Sequence, residues 1–303
     1  SATRSMNETQ EQTIRQIQVL VFDAVQHTLV AVRRSQIIID DPSNKRIKTF
    51  QVMLPRGTFN LMLIANMPSI ELDPGITKDE VLRSLVFQQT EKWNANSTNP
   101  ALIPFWGESK DCTVQENTVI SGIPMLRILS RIDISVVGSA QLEFELKTVS
   151  LYHWQKDMCL ISEHYDEIKG VVTKATESGS GLISESEAMR YLEGDLTTPD
   201  EAIEAMIYVN ETPNPGVSSF PEMPCLVVGG KVDGNDQMRY YRIDFKLTVN
   251  ESATYYDLLR NHRYRIQITD IITNGSDSED EAYLSAFSYT PLTLPTHSIV
   301  SVS

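Results

Sequence analysis

The 303-residue sequence has only three cysteines, Cys112, Cys159 and Cys225, widely spaced and odd in number. They do not make a disulfide framework and read as two buried small hydrophobes plus one bystander. No run of about 18 apolar residues is present, so no segment can cross a membrane as a helix. Ser1 opens a polar stretch with neither a basic n-region nor an apolar h-region. Either the chain works in the cytosol or a targeting segment was removed ahead of it. Positive charge is scarce: 26 Lys and Arg stand against 40 Asp and Glu, a formal charge of −14. That argues against a nucleic-acid partner, whose phosphates must be neutralised by basic side chains. The sequence lacks GxSxG, HExxH, GxGxxG and P-loop patterns, and no spacing couples its scattered Ser, His and Asp residues. We expect no enzyme and no cofactor. His153, Cys159 and His164 lack the tight pairs and the fourth ligand of a structural zinc site. The run from Asn274 to Glu281 carries oxygen ligands without calcium-loop spacing and reads as a solvated charge run.

What is present is alternation. The length suits about two domains, and 41% hydrophobic with 22% charged residues is ordinary for a folded chain. Residues 1–12 are polar and are expected to be mobile. Ile14, Ile17, Val19 and Val21, with Leu20 and Phe22 between them, form a strand dense enough to be buried on both faces. Phe50, Val52 and Leu54 alternate up to Pro55, and an Arg56-Gly57 turn into Phe59, Leu61, Leu63 and Ala65 predicts a hairpin. Thr77 and Glu80 form a capping box that starts a helix with Val81, Leu82, Leu85 and Val86 on one face. Pro104, Phe105, Trp106 and Gly107 precede a hairpin centred near Glu116 and Asn117. One long strand from Met125 to Val137 closes the first half, and Gly138-Ser139 interrupts it.

The second half repeats the pattern from Leu142, Phe144, Leu146 and Val149 to Trp154. A second capping box, Ser184 to Glu187, predicts a short helix ended by Gly194. Tyr241, Ile243, Phe245, Leu247 and Val249 predict another long strand. Residues 255–260 suit a crossover into a further strand at Tyr264, Ile266 and Ile268. The expected fold is mainly β: two similar sandwiches in tandem with short helical insertions, divided into residues 1–138 and 139–303.

Six ordered motifs carry a resemblance. They are Thr3-Arg4 followed by a polar spacer and residues 19–23, "LMLIANMP" at 61–68, "PFWGES" at 104–109, "MLRILSRIDISV" at 125–136, "MIYVNETPNP" at 206–215 and "LLRNHRYRIQIT" at 258–269. Together they resemble the Bacteroidales fimbrillins, the type V pilins, with Ser130 where Ala is common and Asn210-Glu211 in inverted order. The resemblance implies two transthyretin-like, Greek-key sandwich domains and export as a lipoprotein precursor to the outer membrane. It also implies a cut after Arg4 by an arginine-specific protease, so that Thr3 and Arg4 mark the processing site. A groove lined by Ile14, Ile17, Val19 and Val21 would then accept a strand from another pilus subunit, giving a head-to-tail fimbria that serves adhesion. The strand upstream of the cut is expected to be absent from this chain, since residues 1–12 hold only Met6 as a large apolar residue.

The tail departs from the family pattern. It is short and its last Trp is Trp154, yet Leu292, Leu294, Ile299 and Val302 could donate, although Pro291 and Pro295 lack the N–H of a central strand. The alternative is a surface sandwich, as tip or accessory subunit, that binds a host protein or glycan without polymerising.

Overall fold

The structure, a computed structural model, describes residues 2–3, 6–93, 101–176, 188–192, 202–250 and 252–285. In chain order the first half comprises β1 (Ala2–Thr3), α1 (Glu8–Gln12), β2 (Ile17–Asp23), β3 (Leu29–Arg34), β4 (Ile37–Asp40), β5 (Lys48–Gln51), β6 (Gly57–Ala65), α2 (Lys78–Ser84), β7 (Val86–Gln88), β8 (Phe105–Val114), β9 (Leu126–Arg127) and β10 (Leu129–Val136). The second comprises α3 (Ala140–Glu143), β11 (Phe144–Tyr152), β12 (Asp157–Cys159), β13 (Tyr165–Asp166), β14 (Val171–Val172), β15 (Met189–Leu192), β16 (Ala202–Asn210), β17 (Cys225–Val232), β18 (Met238–Asp244), β19 (Lys246–Val249), β20 (Ser252–Tyr255), β21 (Arg263–Ile268) and α4 (Glu279–Tyr283). The molecule is mainly β, as its alternating sequence predicts.

The first unit is built on an antiparallel sheet in the order β3-β2-β6-β8-β9. β2 lies inside it, and Ile17 to Phe22 are all buried, which is why its sequence runs apolar on both faces. Its one buried polar member, Gln18, is satisfied: its amide donates to the carbonyls of Met67 and Pro68, and its oxygen accepts from the Ile70 amide. Such pairing is what lets a polar side chain stay in a core. Helix α2 starts at the expected capping box, with reciprocal bonds between Thr77 and Glu80, and turns Val81 and Leu85 inward.

The second unit is a sandwich. One sheet has the order β1-β16-β10-β21, the other β15-β11-β17-β18. Ile132, Ile134, Ile207 and Ile266 from the first meet Val149, Leu151, Leu226 and Ile243 from the second in one buried cluster. The chain passes from β18 to β21 in the opposite sheet through residues 256–262, so the expected crossover is present. Arg242, fully buried, ties α4 to the outside of β17 and β18: its Nε donates to Asp244 at 2.7 Å, and its Nη1 donates to the Tyr283 carbonyl.

Several sequence expectations change: Val86, expected on the helix face, is exposed on β7, and residues 2–3, ahead of Arg4 where no strand is expected, form β1. β5 pairs with β4, not with β6, so the hairpin predicted from Phe50 to Ala65 does not form. Alternation fixes which face is buried, not which strand is the neighbour. The Met125–Val137 strand breaks at Ile128, where β9 stays in the first sheet and β10 enters the second. The Tyr241–Val249 strand breaks at Phe245, after which β19 folds back on β20. Residues 6–12 are an anchored strap rather than a loose end, as described below. The predicted Ser184 capping box and the Gly194 helix end lie outside the described residues.

The two buried clusters hand over between Leu129 and Ile132, inside the long strand and ahead of Gly138. The first cluster also takes in Met158, Leu160, Ile161, Val172 and Tyr208 from the second half of the chain. There β12 pairs with β7, and Tyr165 packs edge-on against Trp106 at 5.2 Å. Each unit is therefore completed by residues from the other half.

Candidate assembly site

A strand-accepting site needs a sheet edge whose amides and carbonyls face outward. In the second unit one sheet ends, among the described residues, at β21 on one side, and on the other only the two-residue β1 lies outside β16. The inner side of β16 is taken by β10. Its outer side meets β1 in parallel, Ala2 opposite Ala202 and Thr3 opposite Ile203. At its far end the buried Gln89 side chain substitutes for a strand, accepting from the Asn210 amide at 3.0 Å and donating to the Tyr208 carbonyl at 2.8 Å. Between these points, over Glu204 to Met206, the outer edge has no neighbouring strand among the described residues.

The N-terminal strap connects β1 to β2 past this edge. Met6, 2% exposed, sits in the core of the first unit. Asn7 and Gln10 close a capping box at the start of α1. Glu11 is the centre of the strap: its carboxylate accepts from Arg131 Nη1 at 2.7 Å and from the Tyr208 hydroxyl, while its carbonyl accepts from Arg127 Nε at 2.8 Å. Arg131 also pairs with Asp133, which takes Arg263 from β21. The strap is thus joined to both sheet strands beyond β16. Burial, reinforced by the adjacent Glu11 charge, pushes the Tyr208 phenol well above the ordinary tyrosine range.

Behind the strap lies the junction of the units. Arg260 and Glu211, both without exposed side-chain surface, pair at 2.7 Å, and Arg260 also donates to the carbonyls of Leu160 and Cys159. Glu211 accepts in addition from the Thr176 amide. Arg260 stands 5.8 Å from the Trp106 ring, and the Asn261 amide donates to the Leu129 carbonyl at 3.0 Å. Strands from both units and the crossover converge on this pair.

The residues predicted from sequence fall in different places. Thr3 lies on β1, and Arg4 lies outside the described residues. Ile17, Val19 and Val21 are on β2, whose two edges are filled by β3 and β6; Ile14 is buried just before it. Their backbone is not free to bond another chain. Among the described residues that sheet ends at β3 on one side and at β9 on the other; Leu29 at the start of β3 already bonds to Ile76 and Gly75, and a groove of about 490 Å³ lies between Val30–Arg33 and Ile70–Pro74. The candidate donors Leu292, Leu294, Ile299 and Val302 are outside the described residues. His153, Cys159 and His164 do not converge. His153 pairs with the Tyr283 hydroxyl, and no group of three or more His, Cys, Asp or Glu residues able to hold a metal occurs among the described residues. In the acidic run, Asp277 pairs with Arg239 and Glu279 with Arg190. Gln89 is absent from the motifs read in the sequence; Glu11, Arg131 and Tyr208 lie within those motifs, but no pairing among them is legible there. The signal at Arg131 is charge set against an apolar rhythm, Arg131 and Asp133 alternating with Ile132 and Ile134.

No protein-family model matches the chain, and no curated protein sequence matches it significantly. Solved structures do match. The tip fimbrial protein Mfa3 from Porphyromonas gingivalis, C-terminally truncated, aligns with a TM-score of 0.55 at 12% identity, covering 89% of this chain and 93% of that one. The fimbrilin FimA from P. gingivalis W83 aligns with a TM-score of 0.53 at 15% identity, over 91% and 90% of the two chains. A candidate cell adhesion protein from Parabacteroides distasonis gives 0.51 at 14%, over 88% and 84%. At these identities the likeness is one of architecture, and this chain has the fimbrillin-like fold that these fimbrial and adhesion proteins share.

Proposed function

We propose that this chain is a structural, non-enzymatic subunit of a bacterial cell-surface fimbria that assembles head to tail by strand addition and serves adhesion. The observation that carries the reading is the placing of β1. Residues 2–3 cover the outer edge of β16 from the N-terminal side of Arg4, whereas the chain from Met6 onward is bonded into both units. A cut after Arg4 by an arginine-specific protease frees β1 and bares that edge. A strand from a second subunit then takes up the amides and carbonyls over Ala202 to Met206, with the C-terminal residues Leu292 to Val302 as its source. A contact of this heterologous kind does not close on itself and propagates as a filament. The reading includes lipoprotein export to the outer membrane and two transthyretin-like domains that divide between β9 and β10, ahead of the Gly138 boundary expected from sequence.

The test compares the chain starting at Ser1 with the chain starting at Ser5, each mixed with a cognate subunit and followed by size exclusion and electron microscopy. Fibres are expected from the trimmed chain alone. If both forms stay monomeric with every cognate subunit, assembly by this route is wrong.

A second reading, a non-polymerising tip or accessory adhesin, has one observation in its favour. A pocket of about 300 Å³ opens on the first sheet, with Phe22 and Met62 in its floor and His27, Asn60, Asp111 and the Lys78–Glu108 pair at its rim. Apolar floors with a few convergent polar groups are the usual form of a ligand site. A glycan array with the trimmed monomer separates the two readings, because saturable binding without incorporation into fibres favours the adhesin.

A further inference from the structure

The sequence has a second arginine close to the first, and its surroundings differ. Arg15 is exposed, and its side chain is open to any arginine-directed protease. A cut there adds water across the Arg15–Gln16 peptide bond. It would strip Met6 and Ile14 from the first core and Glu11 from Arg131.

We propose that Asn66, acting with the Glu11 latch, withholds the Arg15–Gln16 bond from proteolysis and so keeps the strap attached when arginine-directed trimming removes the residues before Met6. The protection stands on its own geometry; only its purpose rests on the processing reading of Arg4. Asn66 ends β6 in the left-handed region, with φ of 57°, a conformation that asparagine tolerates better than most residues. From there its Oδ1 accepts from the Arg15 amide at 3.0 Å, and its Nδ2 donates to the carbonyls of Thr13 and Ile103, both at 2.8 Å. Its own amide donates to the Gln16 carbonyl at 3.1 Å. One residue therefore holds the backbone on both sides of the scissile bond. Ile14 and Ile17, 6% and 2% exposed, pin the flanks, and the Ile17 amide donates to Ser35 Oγ at 3.2 Å. Proteases bind an extended, detached segment, so cleavage at such a site waits on local opening. Residues 2–3, in contrast, are joined to the body by the short β1–β16 pairing.

The experiment is limited digestion of the full chain with an arginine-specific endoprotease, read by intact mass and N-terminal sequencing. The wild type is expected to give a product starting at Ser5, and a product starting at Gln16 at least about tenfold more slowly, as expected when cleavage needs an opening reaction. Asn66→Gly keeps the left-handed backbone and removes the side-chain bonds. It should raise the Arg15 cut about tenfold relative to the cut at Arg242, which is buried in the second unit away from the strap and reports global unfolding. Glu11→Gln should do the same to a smaller degree. Equal cutting after Arg4 and Arg15 in the wild type overturns the proposal, as does an unchanged Arg15-to-Arg242 ratio in the glycine variant. Should that variant not fold, hydrogen exchange of the wild type decides: the Arg15 amide must exchange slowly, and fast exchange overturns the clamp. If Arg15 is protected but Arg4 is never cut, the processing reading fails and the clamp stands.

Discussion

At the scale of single residues, the junction pair is where one atom's loss costs most. Glu211→Ala leaves the Arg260 guanidinium fully buried with only the carbonyls of Leu160 and Cys159. Removing one partner of a buried pair costs about 3–5 kcal/mol. Urea unfolding should show that loss, and the double variant Glu211→Met with Arg260→Met should recover much of it. Cysteine chemistry gives a second test. Burial pushes the Cys225 thiol from 9.0 up to about 12. An acid held protonated in the folded state contributes its full stability below pH 9.0. That contribution is lost as pH rises from there to about 12. Cys225 should therefore resist alkylation at pH 9 until denaturant is added; rapid labelling of the native protein contradicts its burial. Both junction residues sit in stretches that the sequence reading singled out, "VNETPNP" and "LLRNHRYRIQIT". Their pairing was not legible, because nothing local relates positions so far apart in the chain.

At the scale of elements, burial was legible and partnership was not. β2 is apolar on both faces because it lies between β3 and β6, and that much follows from Ile17 to Phe22. The Thr77–Glu80 box was equally readable, because capping is a matter of local hydrogen bonds. The β5 and β6 partners were not, since Phe50 and Phe59 alternate equally well in any antiparallel pairing. The strap is not legible in the sequence, because its anchors, Met6 and Glu11, look like ordinary members of a polar leader. Close approach in β8 can be tested directly. A Cβ added at Gly107 would meet the Pro124 carbonyl oxygen at 2.3 Å and Met125 Sδ at 2.8 Å. Gly107→Ala should cost about 1–3 kcal/mol through forced backbone movement, seen as a lowered Tm. An unchanged Tm would mean that the segment before β9 is free to yield.

At the scale of the whole molecule, the two units are distinct in their sheets and shared in their cores. Met158, Leu160 and Tyr208 complete the first cluster from the second half of the chain. We therefore expect heat or urea to unfold both units in one transition, with tryptophan fluorescence and far-UV circular dichroism coincident. Two separated transitions would show the junction to be weaker than its buried pair implies. Repeated alternation shows that the chain is rich in strands, but the exchange of segments between the two clusters was not legible, because it is written in tertiary contacts alone. The continuity of β9 with β10 matters most for a molecule under load. A single residue, Ile128, separates the strand that belongs to one sheet from the strand that belongs to the other, and its amide is held by the Pro104 carbonyl at 3.1 Å. Tension applied along the chain has no slack linker to take up at this point. It passes straight from ladder to ladder, so the two units should behave under pulling as one stiff rod rather than as beads on a string.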